Sequence, residues 1–218
     1  MKRFYAVVCI LALTGMVTLC GCGGGGSGDS GGGSALNSGI CAGFKYQGSE
    51  KKNIIFARVN RSGVTGYIEN ANGAKVSGNL VSNSQANTSE IMMETSTIGT
   101  YKLVYFDNSE RFEITRDLSW TTIPDFSTVP SPPVWTSSSM LTVNYSSVNA
   151  GNASYYLRLF YSYSPDTMYQ QTSSSPGGGV ISMNINADGA FIPVLVADVI
   201  ENDQLTGTVR YFFDEVVR

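Results

Sequence analysis

Apolar positions recur along this chain in short runs with a period of two. Gly, Asn, Asp and Ser break the runs, and no stretch shows the three-to-four spacing of an amphipathic helix. In the first half the runs cover 54–59, 64–68, 74–81, 90–94, 101–106 and 111–115; in the second, 140–146, 155–161, 168–172, 180–185, 191–200 and 208–216. Turn residues fall between them at 70–73, 107–109, 149–152, 174–179 and 186–189. Leu141, Val143 and Tyr145 fall on one face of their strand, with Thr142 and Asn144 on the other. Tyr155, Leu157, Leu159 and Tyr161 likewise oppose Tyr156, Arg158 and Phe160. That second face is not fully polar, so this strand is expected to be central or to face a partner. In the last run Val209, Tyr211 and Phe213 are expected on the core side, against Arg210, Phe212 and Asp214.

Strands at this rhythm predict an all-β chain of antiparallel sandwiches. The stretch 123–133 holds four prolines, which remove backbone donors and favour extended chain. It is the expected boundary: a first β-sandwich domain over 41–122, a Pro-rich linker over 123–133 and a second domain over 134–218.

Some residues carry a family resemblance. The second half opens with Pro132-Pro133-Val134-Trp135 and contains Asp188-Gly189-Ala190-Phe191, which is similar to the Asp-x-x-Tyr approach to a late strand. It resembles fibronectin type III and immunoglobulin-like domains. In the first half Gly99-Thr100-Tyr101-Lys102-Leu103 resembles a common lead into a late sandwich strand. The resemblance implies two antiparallel β-sandwich, immunoglobulin-like domains. Two family features are missing: Phe191 stands where a corner tyrosine would bond, and neither half has the Cys…Trp…Cys pattern.

The amino terminus follows a different pattern. Lys2 and Arg3 precede an apolar run over 4–19, which is the layout of a secretory signal peptide. The run would span roughly 24 Å as a helix, short of the ~30 Å hydrocarbon core. Leu19-Cys20-Gly21-Cys22 resembles the bacterial lipobox. That resemblance implies a signal peptide over 1–21, cleavage before Cys22 and lipidation of Cys22, with the acyl chains anchoring the protein in a membrane. Residue 23 is Gly rather than the Asp that retains such proteins in the inner membrane of enteric bacteria, which leans toward the outer membrane. The segment GGGGSGDSGGGS that follows cannot bury a core, so a flexible tether is expected over 22–40.

Composition narrows the chemistry. Without Lys2 and Arg3, 12 basic residues face 17 acidic ones, a net charge of −5, which argues against nonspecific nucleic-acid binding. The chain has no histidine, which removes Ser-His-Asp and Cys-His catalysis and His-ligated zinc. Once Cys9 and Cys20 leave and Cys22 is lipidated, Cys41 is the one thiol left, either a small buried residue or a partner in an intermolecular disulfide. Asp198, Glu201 and Asp203 lie near one turn, where they are solvated charges or calcium ligands. Gly177-Gly178-Gly179 lacks the Lys and Ser/Thr of a phosphate loop and reads as a flexible hairpin. Tyr155, Tyr156, Tyr161, Tyr163 and Tyr169 are strand packing or a surface that stacks on sugars.

The expected function is a non-catalytic binding or structural module of the cell envelope, with no catalytic residue, cofactor or metal. It would be lipid-anchored in the cell membrane or outer membrane, facing the periplasm or the cell surface. Its partners would be the membrane, through Cys22, and an envelope protein or glycan. A carbohydrate-binding or adhesive module using the Tyr-rich half is the alternative, and a carboxylate-based hydrolase the third reading.

Overall fold

The computed structural model describes residues 38–121, 123–174 and 177–218. The expected signal peptide, Cys22 and the tether as far as residue 37 lie outside the described residues. The first half carries β1 (Gly39–Gln47), β2 (Glu50–Val59), β3 (Thr65–Asn70), β4 (Val81–Asn83), β5 (Thr88–Glu94), β6 (Gly99–Asp107) and β7 (Glu110–Leu118). The second carries β8 (Val134–Trp135), β9 (Met140–Tyr145), β10 (Ala153–Tyr161), β11 (Ser164–Ser174), β12 (Gly179–Asn184), β13 (Ala190–Glu201), β14 (Gln204–Phe212) and β15 (Val216–Val217). Over the described residues the chain is all-β, as its alternation predicts.

Several elements depart from the expected runs: β8 falls outside all of them, and the run 208–216 divides into the end of β14 at Phe212 and the short β15. β1 begins at Gly39, inside the expected tether, and Ile40 and Cys41 are already fully buried. The run 74–81 reaches a strand only at Val81: Gly78 interrupts it, and the Ser77 hydroxyl oxygen accepts the Ile68 N–H at 2.7 Å, where a strand would offer a carbonyl. The turn at 107–109 is a two-residue hairpin, with Asn108 and Ser109 at φ 49° and 72°, the conformation that matches strand twist.

One large sheet runs β11-β10-β13-β14-β1-β2-β5-β4, with β15 added beside β13. A small sheet, β3-β6-β7, covers its first-half strands, enclosing Ile40, Ile55, Ile68 and Leu103. A second, β12-β9-β8, covers β10, β13 and β14, enclosing Leu141, Val143, Leu157 and Phe191. Each half therefore forms a β-sandwich with an apolar core of its own. Leu141, Val143, Tyr145 and Phe213 lie in the second core, Val209 is fully buried, and Tyr211 packs at the core's edge with its ring 5.6 Å from Tyr46.

The expected split into domains 41–122 and 134–218 requires correction. Gly32–Arg218 is one compact unit. The halves share the large sheet because β1 pairs with β14 from Ala42↔Gly207 to Gln47↔Phe212, a parallel ladder in a structure expected to be antiparallel. Nor is 123–133 a free linker. Ile123 is buried in the first core, and Phe126 packs on the second. The Asp125 carboxylate accepts hydrogen bonds from Tyr46 Oη at 2.7 Å and Lys51 Nζ at 2.6 Å. Ser127 and Ser131 donate their N–H groups to Ser147 and Asn144, so Pro130 sits between anchored donors in a strap across both sandwiches. Gly207 lets the strap lie close, since a Cβ there would stand 2.6 Å from the Pro124 ring.

The large sheet curls until its far strands meet. Arg158 on β10 bonds Glu90 on β5 at 2.7 Å, although these strands are five places apart in the order. In a flat sheet that separation is about 24 Å. The edges β11 and β4 approach as well, where the Asn83 amide reaches Met168 Sδ at 3.4 Å. The result is an eight-stranded barrel with a seam between β4 and β11, a size whose interior side chains just fill. Bulges in the β10–β11 and β13–β14 ladders supply local bend. Gly43 supplies room, because a Cβ there would stand 2.4 Å from the Thr208 carbonyl oxygen.

Candidate ligand-binding site

The barrel interior is where the chain concentrates its unusual chemistry. The strand faces that point inward carry Phe56 and Arg58 on β2, Glu90 on β5, Tyr156 and Arg158 on β10, Asp198 on β13 and Thr208 and Arg210 on β14. Arg58 and Asp198 are both fully buried, joined by Nη1 to Oδ2 at 2.6 Å, and the Thr208 hydroxyl donates to Asp198 Oδ1 at 2.6 Å. Arg158 holds Glu90 with two parallel bonds of 2.7 and 3.1 Å and donates from Nε to Gln171 at 2.6 Å. Arg210 lies 3.6 Å from Glu90 through Nη1, and its guanidinium stacks 3.7 Å over the Phe56 ring.

Charge settles the state of each carboxyl. Burial pushes Glu90 upward, but the guanidiniums of Arg158 and Arg210 overcome it and hold the group at about 2. Burial opposes ionisation of Asp198 too, and Arg58 with Arg210 again prevails, so its value falls below the ordinary carboxylate range. Burial lowers Arg210 to about 10, which still leaves it charged at neutral pH. Cys41 lies on the same inner face, and burial, with Asp198 adding in the same sense, pushes its thiol far above the usual range. A fully buried thiol of this kind is inert, and the intermolecular disulfide has no access to it.

The interior opens at the seam. A cavity of about 380 Å³ is walled by Phe56, Met92, Phe160 and Phe212, with Glu90 and Arg210 deeper in and Val81 and Asp166 at the rim. A second cavity of about 400 Å³ shares Phe160, Pro165 and Phe212 with it and extends to Lys45 and Glu215. Both fall in the size range of small-molecule sites.

The features expected from sequence are distributed differently. Asp198 points into the barrel while Glu201 and Asp203 stay exposed at a tight hairpin turn, so the trio does not converge. Among the described residues no group of three Cys, Asp or Glu side chains could hold a metal. Gly177 and Gly178 lie on a connection between two sheets and Gly179 opens β12, rather than forming a hairpin, since β11 and β12 do not pair. Tyr155 and Tyr156 are buried, Tyr161 and Tyr169 pack against Phe191, and Tyr163 alone of the five faces solvent, 81 % exposed. Sequence reasoning missed Arg58, Glu90, Arg158 and Arg210. A usable signal was present: Phe56-x-Arg58, Tyr156-x-Arg158 and Arg210-x-Phe212 each place an arginine beside an aromatic on one strand face.

No protein-family model and no curated protein matches the chain. Solved structures similar to it include a chain titled as a cytokine receptor complex, crystal form 1A, at 13 % identity and a TM-score of 0.33, with 75 % of this chain and 88 % of that one covered. A second, titled as the BSP domain of a biofilm associated protein, is 14 % identical at a TM-score of 0.28; 82 % of this chain aligns with 29 % of that chain. A third, from crystal form 2 of a cytokine receptor complex, is 12 % identical at a TM-score of 0.31, covering 82 % of this chain and 99 % of that one.

Proposed function

We propose that the protein is a lipid-anchored, non-catalytic binding module of the bacterial cell envelope. The signal peptide, the lipobox resemblance ending at Cys22 and the Gly/Ser tether support the anchor. Its place is the cell membrane or outer membrane, facing the periplasm or the surface. The observation that carries the binding reading is the seam cavity, apolar on its walls and floored by a fixed ionic network. The same network weighs against a carboxylate hydrolase. General acid catalysis near neutral pH needs a carboxyl raised toward that pH, whereas Glu90 and Asp198 are both shifted down and tied to arginines. A sugar-binding or adhesive reading stands second, on the solvent-facing ring of Tyr163 packed 5.0 Å from Tyr161.

Two measurements test the proposal. Fatty-acid labelling in a bacterial host is expected to mark the wild type and Cys20→Ser but not Cys22→Ser. Label retained on Cys22→Ser would overturn the anchor. Photo-crosslinking of the anchored protein in its native envelope is expected to recover an occupant of unchanged mass. An occupant recovered as a cleaved product would make the protein an enzyme.

A further inference from the structure

The geometry points to the seam cavity as a site for a small organic anion, a carboxylate on an apolar or aromatic body, with the Arg210 guanidinium as its partner. This rests on the binding reading above and names the ligand class. Three observations carry it.

The first is a charge imbalance. Among the described residues the interior network sets the three guanidiniums of Arg58, Arg158 and Arg210 against the two carboxylates of Glu90 and Asp198. Both carboxylates are already committed: Glu90 to the twin bonds of Arg158, and Asp198 to Arg58 and Thr208. Glu90 thus serves two guanidiniums, with Arg210 at the longer 3.6 Å, and a further anion beside Arg210 lowers the cost of burying its charge.

The second is the particular pair of donors left over. Arg210 is 5 % exposed, and its Nε and Nη2 bond to no described residue. These two nitrogens form the side-on edge of a guanidinium, the fork that matches a carboxylate through two parallel hydrogen bonds. They lie beneath the cavity wall, so capture takes a rotation of the Arg210 side chain.

The third is the cavity itself. Arg210 contributes to its lining together with Phe56, Met92, Phe160 and Phe212, which suit the apolar body of such a molecule. Entry lies at the barrel seam, where β4 is three residues long and forms no ladder with β11. Asp166 at the rim is solvent-exposed, where water screens its repulsion.

Isothermal titration of the full-length protein in detergent tests the site, with phenylacetate, its neutral analogue phenylacetamide and inorganic phosphate as probes. Phenylacetate is expected to bind saturably and at least tenfold more tightly than the amide. Arg210→Lys keeps the charge and removes the fork, and should weaken phenylacetate at least tenfold. Val81→Trp plugs the rim at an exposed position, so it should weaken binding at an unchanged Tm even if the Arg210 variant fails to fold. Equal affinity for acid and amide, or binding indifferent to Val81→Trp, would overturn the proposal. Phosphate binding as tightly as phenylacetate would overturn the carboxylate class. Absence of binding by all three probes would overturn this inference and leave the crosslinking test to decide the broader one.

Discussion

On its outer face the large sheet meets Leu141, Ile181, Ile68 and Leu103; on its inner face it closes around Arg58, Arg158, Arg210, Glu90 and Asp198. Both faces are buried, and they divide the labour. Each outer core draws almost entirely on one half of the chain, so apolar burial there stabilises the halves separately. The inner network crosses between halves: Arg58 to Asp198 spans 140 residues and Arg158 to Glu90 spans 68. Apolar packing is non-directional, whereas an arginine fork accepts few geometries. The outer cores therefore make two sandwiches, and the inner ions determine how those sandwiches join.

The comparison breaks most completely if the halves are separated. A fragment covering 134–218 keeps its outer core but loses the β1 edge of β14 and the Arg58 and Glu90 partners of Asp198, Arg158 and Arg210. It is expected to show no cooperative transition in urea by circular dichroism, and to recover one when mixed with a fragment covering 38–133. A single sharp transition for the isolated fragment would mean that the inner network is dispensable.

A point substitution sharpens the same contrast. Asp198→Ala leaves Arg58 buried without its carboxylate and should cost about 3–5 kcal/mol. Replacing the whole unit, as Arg58→Met, Asp198→Leu and Thr208→Val together, should return stability to near the wild type, because a buried ion pair is worth little against apolar groups of similar volume. On the outer face no such rescue exists: Leu157→Ala opens a cavity and should cost about 2–5 kcal/mol. Denaturant midpoints of the three variants decide it, and a triple variant no better than Asp198→Ala would contradict the account.

This division also explains what could be read from the residues. The outer cores were legible because their strands alternate: Leu141, Val143 and Tyr145 share one face and all three are buried, although Thr142 on the other face is covered as well. The inner face defeats that logic. Arg158 and Arg210 occupy positions that a two-sided sandwich gives to solvent, and their partner Glu90 is distant in sequence. The mixed face of Tyr156, Arg158 and Phe160 did signal a second burial surface, but the partner it implied is the rest of the same sheet. β1 was hidden because Gly39 and Gly43, needed for close approach to Leu205 and Thr208, extend the appearance of the tether. The seam cavity depends on curl, which no local pattern records.

The smallest effect expected is the one acid should have, and it separates the inner carboxylates from those outside. Glu90 is held at about 2 when folded, against 4.5 for the free group. A depressed value means that the folded state binds its proton less readily than the unfolded state does. The stability this contributes is complete above about pH 4.5 and is lost as pH falls through the range down to about 2. The shift corresponds to about 3 kcal/mol for Glu90, and the downward shift of Asp198 acts in the same sense. Glu94 and Glu113 are also shifted down, by Lys45 and Lys102 respectively, but they sit in solvent, where salt screens the pairing. Urea unfolding between pH 2 and 6, at low salt and in about 0.5 M NaCl, distinguishes the two sets. The acid loss should persist in salt for the wild type and become shallower in Glu90→Gln. If salt abolished the loss, the pairs responsible would be the exposed ones, and the inner network would not be what holds the barrel closed.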